Sequence, residues 1–298
     1  MNAMPTKLLA AGALLFAALL SAAAQPPAPK PNPLERQYRD GETLNYRMNA
    51  TNESWHYAIQ ADGVIRKDPT GVFYEEYRWS KMDSSGQPVA LAPQMTDFRQ
   101  RLTLDTRENP SVPDLSKVDP RTIGPITDML TFYSDLWLAN KTGQLAKPGD
   151  HFYMKYGVPS SWADGNYVLL GQSAVDFDLT WKSVDPAAKT ALLVIRHVPP
   201  EKLTVQLPAD WMQAPVGDRP NNWVGVNKGQ DGKFEASVGE ETFTVELTVS
   251  LTDGKILKGT LDNLVKTVVR TCTDRALTQC DPAKPHQIER KIEISLLP

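Results

Sequence analysis

The amino-acid sequence predicts a mainly β fold: a curved antiparallel sheet, half-barrel or sandwich, packed against one main helix at about 120–142. Three observations lead there. Apolar and polar residues alternate in several separate segments, Asp-Gly pairs punctuate the gaps between them, and one stretch alone departs to helical spacing.

The alternation comes first. Leu44, Tyr46 and Met48 are interleaved with Thr43, Asn45, Arg47 and Asn49. Val175, Phe177, Leu179 and Trp181 alternate with Asp176, Asp178, Thr180 and Lys182. Phe243, Val245, Leu247, Val249 and Leu251 alternate with Thr242, Thr244, Glu246, Thr248 and Ser250. Ile288, Ile292, Ile294 and Leu296 do the same near the C-terminus, with Arg290 the one break. Successive strand side chains point to opposite faces, so each segment has one buried and one wet face, as antiparallel sheets do. Residues 192–198 are apolar on both faces and read as a central, doubly covered strand. Asp40-Gly41, Asp62-Gly63, Asp164-Gly165, Asp231-Gly232 and Asp253-Gly254, with Gly71 and Ser85-Gly86, are expected to make the turns, because these residues tolerate positive φ.

The helical stretch lies between Asp119 and Gly143. Ile123, Ile126, Leu130, Tyr133 and Trp137 fall on one helical stripe, while Met129, Phe132, Leu136 and Leu138 widen it. Pro125 suits a first turn and Gly143 an end. So broad an apolar surface needs cover, and the concave side of the sheet is the expected cover.

The N-terminus reads as an export signal. Lys7 precedes an apolar run at 8–20, then Ser21-Ala22-Ala23-Ala24, which is the order of a secretory signal peptide at 1–24. Its 13 residues fall short of the roughly 20 that span a bilayer, so cleavage after Ala24 is expected over retention as an anchor. Residues 25–33 hold five prolines and read as a stiff linker. Residues 34–298 then form a single large β-rich domain, or two β halves joined by the helix. The expected location is periplasmic or secreted. Cys272 and Cys280, the two cysteines of the chain, are expected to form a disulfide there.

Composition excludes more than it selects. A formal net charge of −3 without basic runs argues against nucleic acid and against anionic membrane surfaces. The four histidines have no metal-ligand spacing. Gly171-Gln172-Ser173 lacks the second glycine of a nucleophile elbow, and no glycine-rich phosphate loop is present. Asp176 and Asp178 share a strand face but read as its solvated side. No catalytic residue, metal or cofactor is therefore expected.

Aromatic residues supply the remaining candidates. Trp79 and Trp181 sit in alternating strands and read as core. Trp211, Asn222 and Trp223 lie in a proline- and asparagine-rich stretch, 208–227, without a strand pattern. They are candidates for a binding surface or for pinning a long loop. On the helix, Met129, Tyr133 and Trp137 are the candidate ligand contacts.

The opening Tyr38-Arg39-Asp40-Gly41-Glu42-Thr43-Leu44-Asn45-Tyr46 resembles the start of uncharacterised exported bacterial β domains. Their arrangement is similar to the half-barrel of lipoprotein-carrier proteins, where a curved sheet cups a helix over an apolar cavity. The resemblance rests on nine residues and transfers no ligand residues. The helix's over-wide apolar surface leads to the expectation of a non-enzymatic extracytoplasmic protein that binds a lipid, another apolar or amphipathic ligand, or an envelope partner, in a sheet–helix cleft. The alternatives are a secreted two-carboxylate glycan hydrolase using residues such as Asp164 and Asp210, and a structural or assembly module.

Overall fold

The structure, a computed structural model, describes residues 32–93, 95, 98–105, 114–157, 167–170, 174–198, 207, 209–229 and 231–298. Asp164-Gly165 lies outside them, as do the signal and nearly all of the linker. Residues 32–298 cluster as one compact unit.

The fold is mainly β, as the alternation predicts: one curved, open antiparallel sheet and, among the described residues, a single long helix. Before the helix come β1 (Thr43–Asn52), β2 (Trp55–Lys67), β3 (Phe73–Ser84), β4 (Gln87–Val89) and β5 (Gln100–Leu102). After α1 (Pro120–Thr142) come β6 (His151–Gly157), β7 (Tyr167–Leu170), β8 (Ala174–Asp185), β9 (Thr190–Val198), β10 (Trp223–Lys228), β11 (Phe234–Ser250), β12 (Ile256–Cys272) and β13 (Lys284–Leu296). The order is β4-β3-β2-β1-β13-β12-β11-β9-β8-β6, with β5 on β3, β10 on β11 and β7 on β10. β1 pairs with β13, so the first and last strands join the N-terminal strands to those C-terminal of the helix.

The turns obey the chemistry of positive φ. Gly41, Gly71, Gly232 and Gly254 adopt φ of 75°, 89°, 80° and 70°, and Ser85 and Gly86 are both positive, as a tight hairpin of strands β3 and β4 requires. Asp62-Gly63 departs from expectation. It lies inside β2, where Gly63 faces the Tyr77 ring and the Leu44 carbonyl so closely that a side chain would collide with both. The glycine serves close packing there and not a turn.

Helix α1 begins where Asp119 caps it, its carboxylate accepting from the Arg121 N–H at 3.0 Å. Pro120, not Pro125, takes the first turn; Pro125 is one turn further in. Gly143, at φ 61°, ends the helix. Met129, Phe132 and Leu136 are fully buried against the sheet. Phe132 lies on Gly259 of β12, where an added Cβ would sit 2.9 Å from its ring, so the glycine lets the helix approach. The core face of the sheet carries Leu44, Tyr46, Met48, Ile59, Tyr77, Trp79, Leu179, Trp181, Leu193, Ile195, Val245, Leu247, Leu261, Ile292 and Ile294. β9 lies between β11 and β8, and Val194 is buried on its other face as well.

A second hydrophobic cluster lies on the opposite face. β11 keeps an unbroken register with β12 from Phe234 to Thr248. Its odd residues Val245 and Leu247 join the main core, while its even residues Ala236 and Val238 join the second, with Met212, Val224, Val226, Cys272 and Leu277. The sheet therefore forks: β11 pairs with β9 over Thr244–Ser250 and with β10 over Phe234–Gly239. Gly239, at the fork, lies so close to the Lys266 carbonyl and Thr267 Cα of β12 that no side chain fits. Cys272 and Cys280 are bonded, and Cys272 is buried in this second core.

Asp135 is the odd group in the helix. It is 4 % exposed, and its Oδ2 has no hydrogen-bond partner among the described residues. Burial raises its pKa from 3.8 to about 8. The folded chain thus keeps a proton that the unfolded chain gives up, and stability falls as pH rises from 3.8 to about 8, then levels. Asp135→Asn is expected to flatten that slope and to raise stability above pH 8 by about 2–4 kcal/mol. Melting temperature against pH measures this, and an unchanged slope in the variant contradicts it.

Candidate functional site

The inner face of the sheet carries a line of polar side chains where α1 begins. Tyr57 of β2 donates its hydroxyl to Asp128 Oδ2 on α1 at 2.6 Å. Arg290 Nη2 of β13 donates to Asp128 Oδ1 at 2.5 Å. Asn263 of β12 stands opposite Arg290 in the strand register, and its Nδ2 donates to Glu241 Oε1 of β11 at 2.8 Å. Glu241 Oε2 lies 3.9 Å from His197 Nδ1 of β9. His197 is stacked on Phe243 with ring centroids 4.2 Å apart and meets the Phe177 ring edge-on at 4.8 Å. Five strands and the helix thus place six polar side chains in one line: Tyr57, Asp128, Arg290, Asn263, Glu241, His197.

The electrostatics follow burial. Burial raises the Asp128 pKa, and Arg290 and the Tyr57 hydroxyl only partly oppose it. Burial, then the Asp128 charge, raises Tyr57 well beyond the usual phenol range. Burial raises Glu241, against the pull of Asn263 and Arg290. Burial lowers His197 to about 4, so its ring is neutral at pH 7. At 3.9 Å the His197–Glu241 contact is accordingly neither an ion pair nor a hydrogen bond. Asp128 and Arg290 are the charged pair of the line, and Arg290 keeps 31 % of its side chain in solvent.

A pocket of about 200 Å³ opens at that pair. It is lined by Trp55, Tyr57, Gly124, Asp128, Arg290 and Ile292, among others. The Trp55 indole donates to Ser84 Oγ at 3.0 Å and lies 5.0 Å from the Tyr57 ring, which fixes its plane. Gly124, on the first turns of α1, stands close to the Trp55 ring, so that an added Cβ would meet it in van der Waals contact at 3.6 Å. The pocket offers an aromatic and aliphatic wall, a guanidinium and a carboxylate. Among the described residues no group of three or more His, Cys, Asp or Glu side chains could hold a metal ion.

The sequence-predicted candidates are distributed over three places. Met129, Tyr133 and Trp137 stand in the main core at 0 %, 2 % and 3 % exposure. Their polar atoms are engaged: Tyr133 donates to Glu75 Oε2, and Trp137 Nε1 to the Asp105 carbonyl at 3.2 Å. Trp211 lies on the other face, in the 3-10 turn Asp210–Gln213. It donates to the Leu277 carbonyl at 2.8 Å with the Arg270 guanidinium 4.9 Å above its ring. Asn222 grips the Glu241 backbone, Nδ2 donating to its carbonyl at 3.0 Å and Oδ1 accepting from its N–H at 2.6 Å. Trp223 opens β10, opposite Gly239, and lies along Gly225. Asn222 therefore reaches the polar line from behind, as the brace that sets Glu241.

Sequence patterns do not single out Trp55, Tyr57, Asp128, His197, Glu241, Asn263 or Arg290 for this site. Arg290 alone carries a signal, as the break in an otherwise regular alternation. It occupies an inward-facing position beside Ile292 and Ile294, and an inward arginine needs a partner such as Asp128. Asp176, expected on the solvated face of β8, is instead buried beneath Tyr153, whose hydroxyl donates to it at 2.5 Å. Asp210 is exposed.

The fold and site together define an open, curved antiparallel sheet wrapped round one helix, with a small mixed-polarity pocket at the helix start. Scanned against models of known protein families the chain matches none, and a search of curated proteins finds no match.

Removing Arg290 leaves Asp128 buried without its cation. Arg290→Met is expected to cost about 3–5 kcal/mol, and Asp128→Asn with Arg290→Met together less than the sum of the two. Urea unfolding measures both; additive effects of under about 1 kcal/mol each contradict the pairing.

Proposed function

We propose that the chain is an exported, non-enzymatic protein that binds an amphipathic ligand in the pocket at the start of α1. The ligand's apolar part lies against Trp55 and Ile292, and its polar head meets Arg290 and Asp128. One observation carries this reading: the Asp128–Arg290 pair is partly open to solvent in a pocket walled by Trp55 and Ile292. Small-molecule sites combine an apolar wall with placed polar groups; here Thr51, Asn52 and Thr127 line the pocket beside the charged pair, so its wall is as polar as it is apolar. The closed core behind it supports moving the site from Met129, Tyr133 and Trp137 to this rim.

Export is supported by the charged, apolar and small-residue order at 1–24 and by the bonded cysteines, which persist in oxidising compartments. No described helix is long and apolar enough to cross a membrane. The resemblance to lipoprotein-carrier half-barrels fits this reading in its sheet and helix, with the difference that α1 fills the concave face of this sheet.

The filled helix–sheet core also favours a second reading, a structural or assembly module. One experiment separates them. Native mass spectrometry of protein taken from the periplasm is expected to show a co-purifying amphipathic mass. Gly124→Leu, which fills the pocket while favouring the helix, is expected to abolish it. A clean apo mass for the unaltered protein removes the ligand reading and leaves the structural one.

A further inference from the structure

The face of the sheet opposite α1 carries a cluster of arginines that the sequence scatters. Arg66, Arg78 and Arg99, with Thr43, Asn45 and Gly63, line a groove of about 420 Å³ over β1, β2 and β3, which also holds Asp62 and Glu76. Arg47 on β1 and Arg101 on β5 flank it through their register with Gln60 and Glu76.

The carboxylates of this groove are engaged. Asp62 accepts from Gln60 Nε2 and from Ser80 Oγ, each at 2.6 Å. Glu76 lies 3.7 Å from Arg99 Nε. Arg101 faces Asp68 at 3.8 Å and the Tyr74 ring at 4.2 Å. Arg66 and Arg78 are exposed, and neither forms an ion pair with another described residue. Two guanidinium groups on neighbouring strands, four residues apart along the β2–β3 register, are thus each free to take phosphate oxygens.

We propose that this groove docks the phosphate-bearing headgroups of an anionic bilayer surface. The guanidinium fork matches phosphate oxygens two at a time. Strands lie about 4.8 Å apart and rise about 3.3 Å per residue, so Arg66 and Arg78, one strand and four residues apart, form a strip roughly 14 Å long, broader than one phosphate and suited to a surface. The formal charge of −3 for the whole chain opposes such a surface at long range. The strip therefore determines which face turns toward it, and the chain-wide charge conceals the attraction.

The test is flotation of the full chain with phosphatidylcholine vesicles, with and without phosphatidylglycerol. Association is expected with the anionic vesicles only, and to weaken in high salt. Arg66→Gln with Arg78→Gln is expected to reduce it about 25-fold, at about 5-fold per arginine. Lys147→Gln with Lys284→Gln removes equal charge elsewhere and is expected to leave binding within about 2-fold. The apolar N-terminal run is common to all variants and cancels in the ratios. Circular dichroism checks folding, and the two single arginine variants replace the double one if it fails. Three results overturn the proposal: equal binding to neutral vesicles, binding unchanged in the arginine variants, or calorimetric binding of inorganic phosphate without vesicle association, which would mark a site for a soluble anion.

Discussion

Arg36 and Glu75 form a buried ion pair, with Nε and Oε1 2.8 Å apart and both side chains at most 2 % exposed. Glu75 also accepts from the Tyr77 hydroxyl at 2.8 Å and from the Tyr133 hydroxyl, and those two hydroxyls are 2.6 Å from each other. Burial works against the Arg36 charge, but the Glu75 carboxylate outweighs it and holds the guanidinium charged. Burial and the same carboxylate push both tyrosines well above the ordinary phenol range. Arg36 further donates to the Asp253 carbonyl at 3.1 Å, so the turn between β11 and β12 is held by the same group. The segment before β1, strand β3, helix α1 and that turn are therefore tied together through one ion pair.

Such a network is poor evidence of net stability, since apolar groups of equal volume often do as well. Its consequence here is position. Tyr133 reaches Glu75 only with α1 in its present rotation, and that rotation places Asp128 against Arg290 and Gly124 opposite Trp55. A glycine under Phe132 and another against Tyr77 make the close approach of helix and strands possible. The pocket is thus a by-product of how a carboxylate on the sheet fixes a hydroxyl on the helix. The second core, on the other face of β11 and β12, bears on the same site from behind through Asn222, which sets the Glu241 backbone.

The sheet and the helix are legible in the sequence because both rest on periodicity. Leu44, Tyr46 and Met48 alternate because one face of β1 is core, and the 120–142 helix shows itself by its spacing and its terminal glycine. β10 is hidden in the 208–227 stretch. It is only six residues long, and its Val224, Gly225 and Val226 are all buried, so it has no polar face to alternate with. Asp62-Gly63 misleads because a glycine needed for packing looks the same in sequence as one needed for a turn. The site itself is almost illegible. Tyr57, Asp128, His197, Glu241, Asn263 and Arg290 lie on six elements, and only strand register and helix rotation bring them into line. The arginine groove is hidden for the same reason, its arginines spread from Arg66 to Arg99.

The central claim is that the Arg36–Glu75 pair positions the helix on the sheet, and a double-mutant cycle measured by urea unfolding tests it most directly. Arg36→Met and Glu75→Gln are each expected to cost about 3–5 kcal/mol, because each leaves a buried group without its partner. The double variant is expected to cost clearly less than their sum. Single variants within about 1 kcal/mol of the unaltered protein, with no coupling between them, would contradict the account.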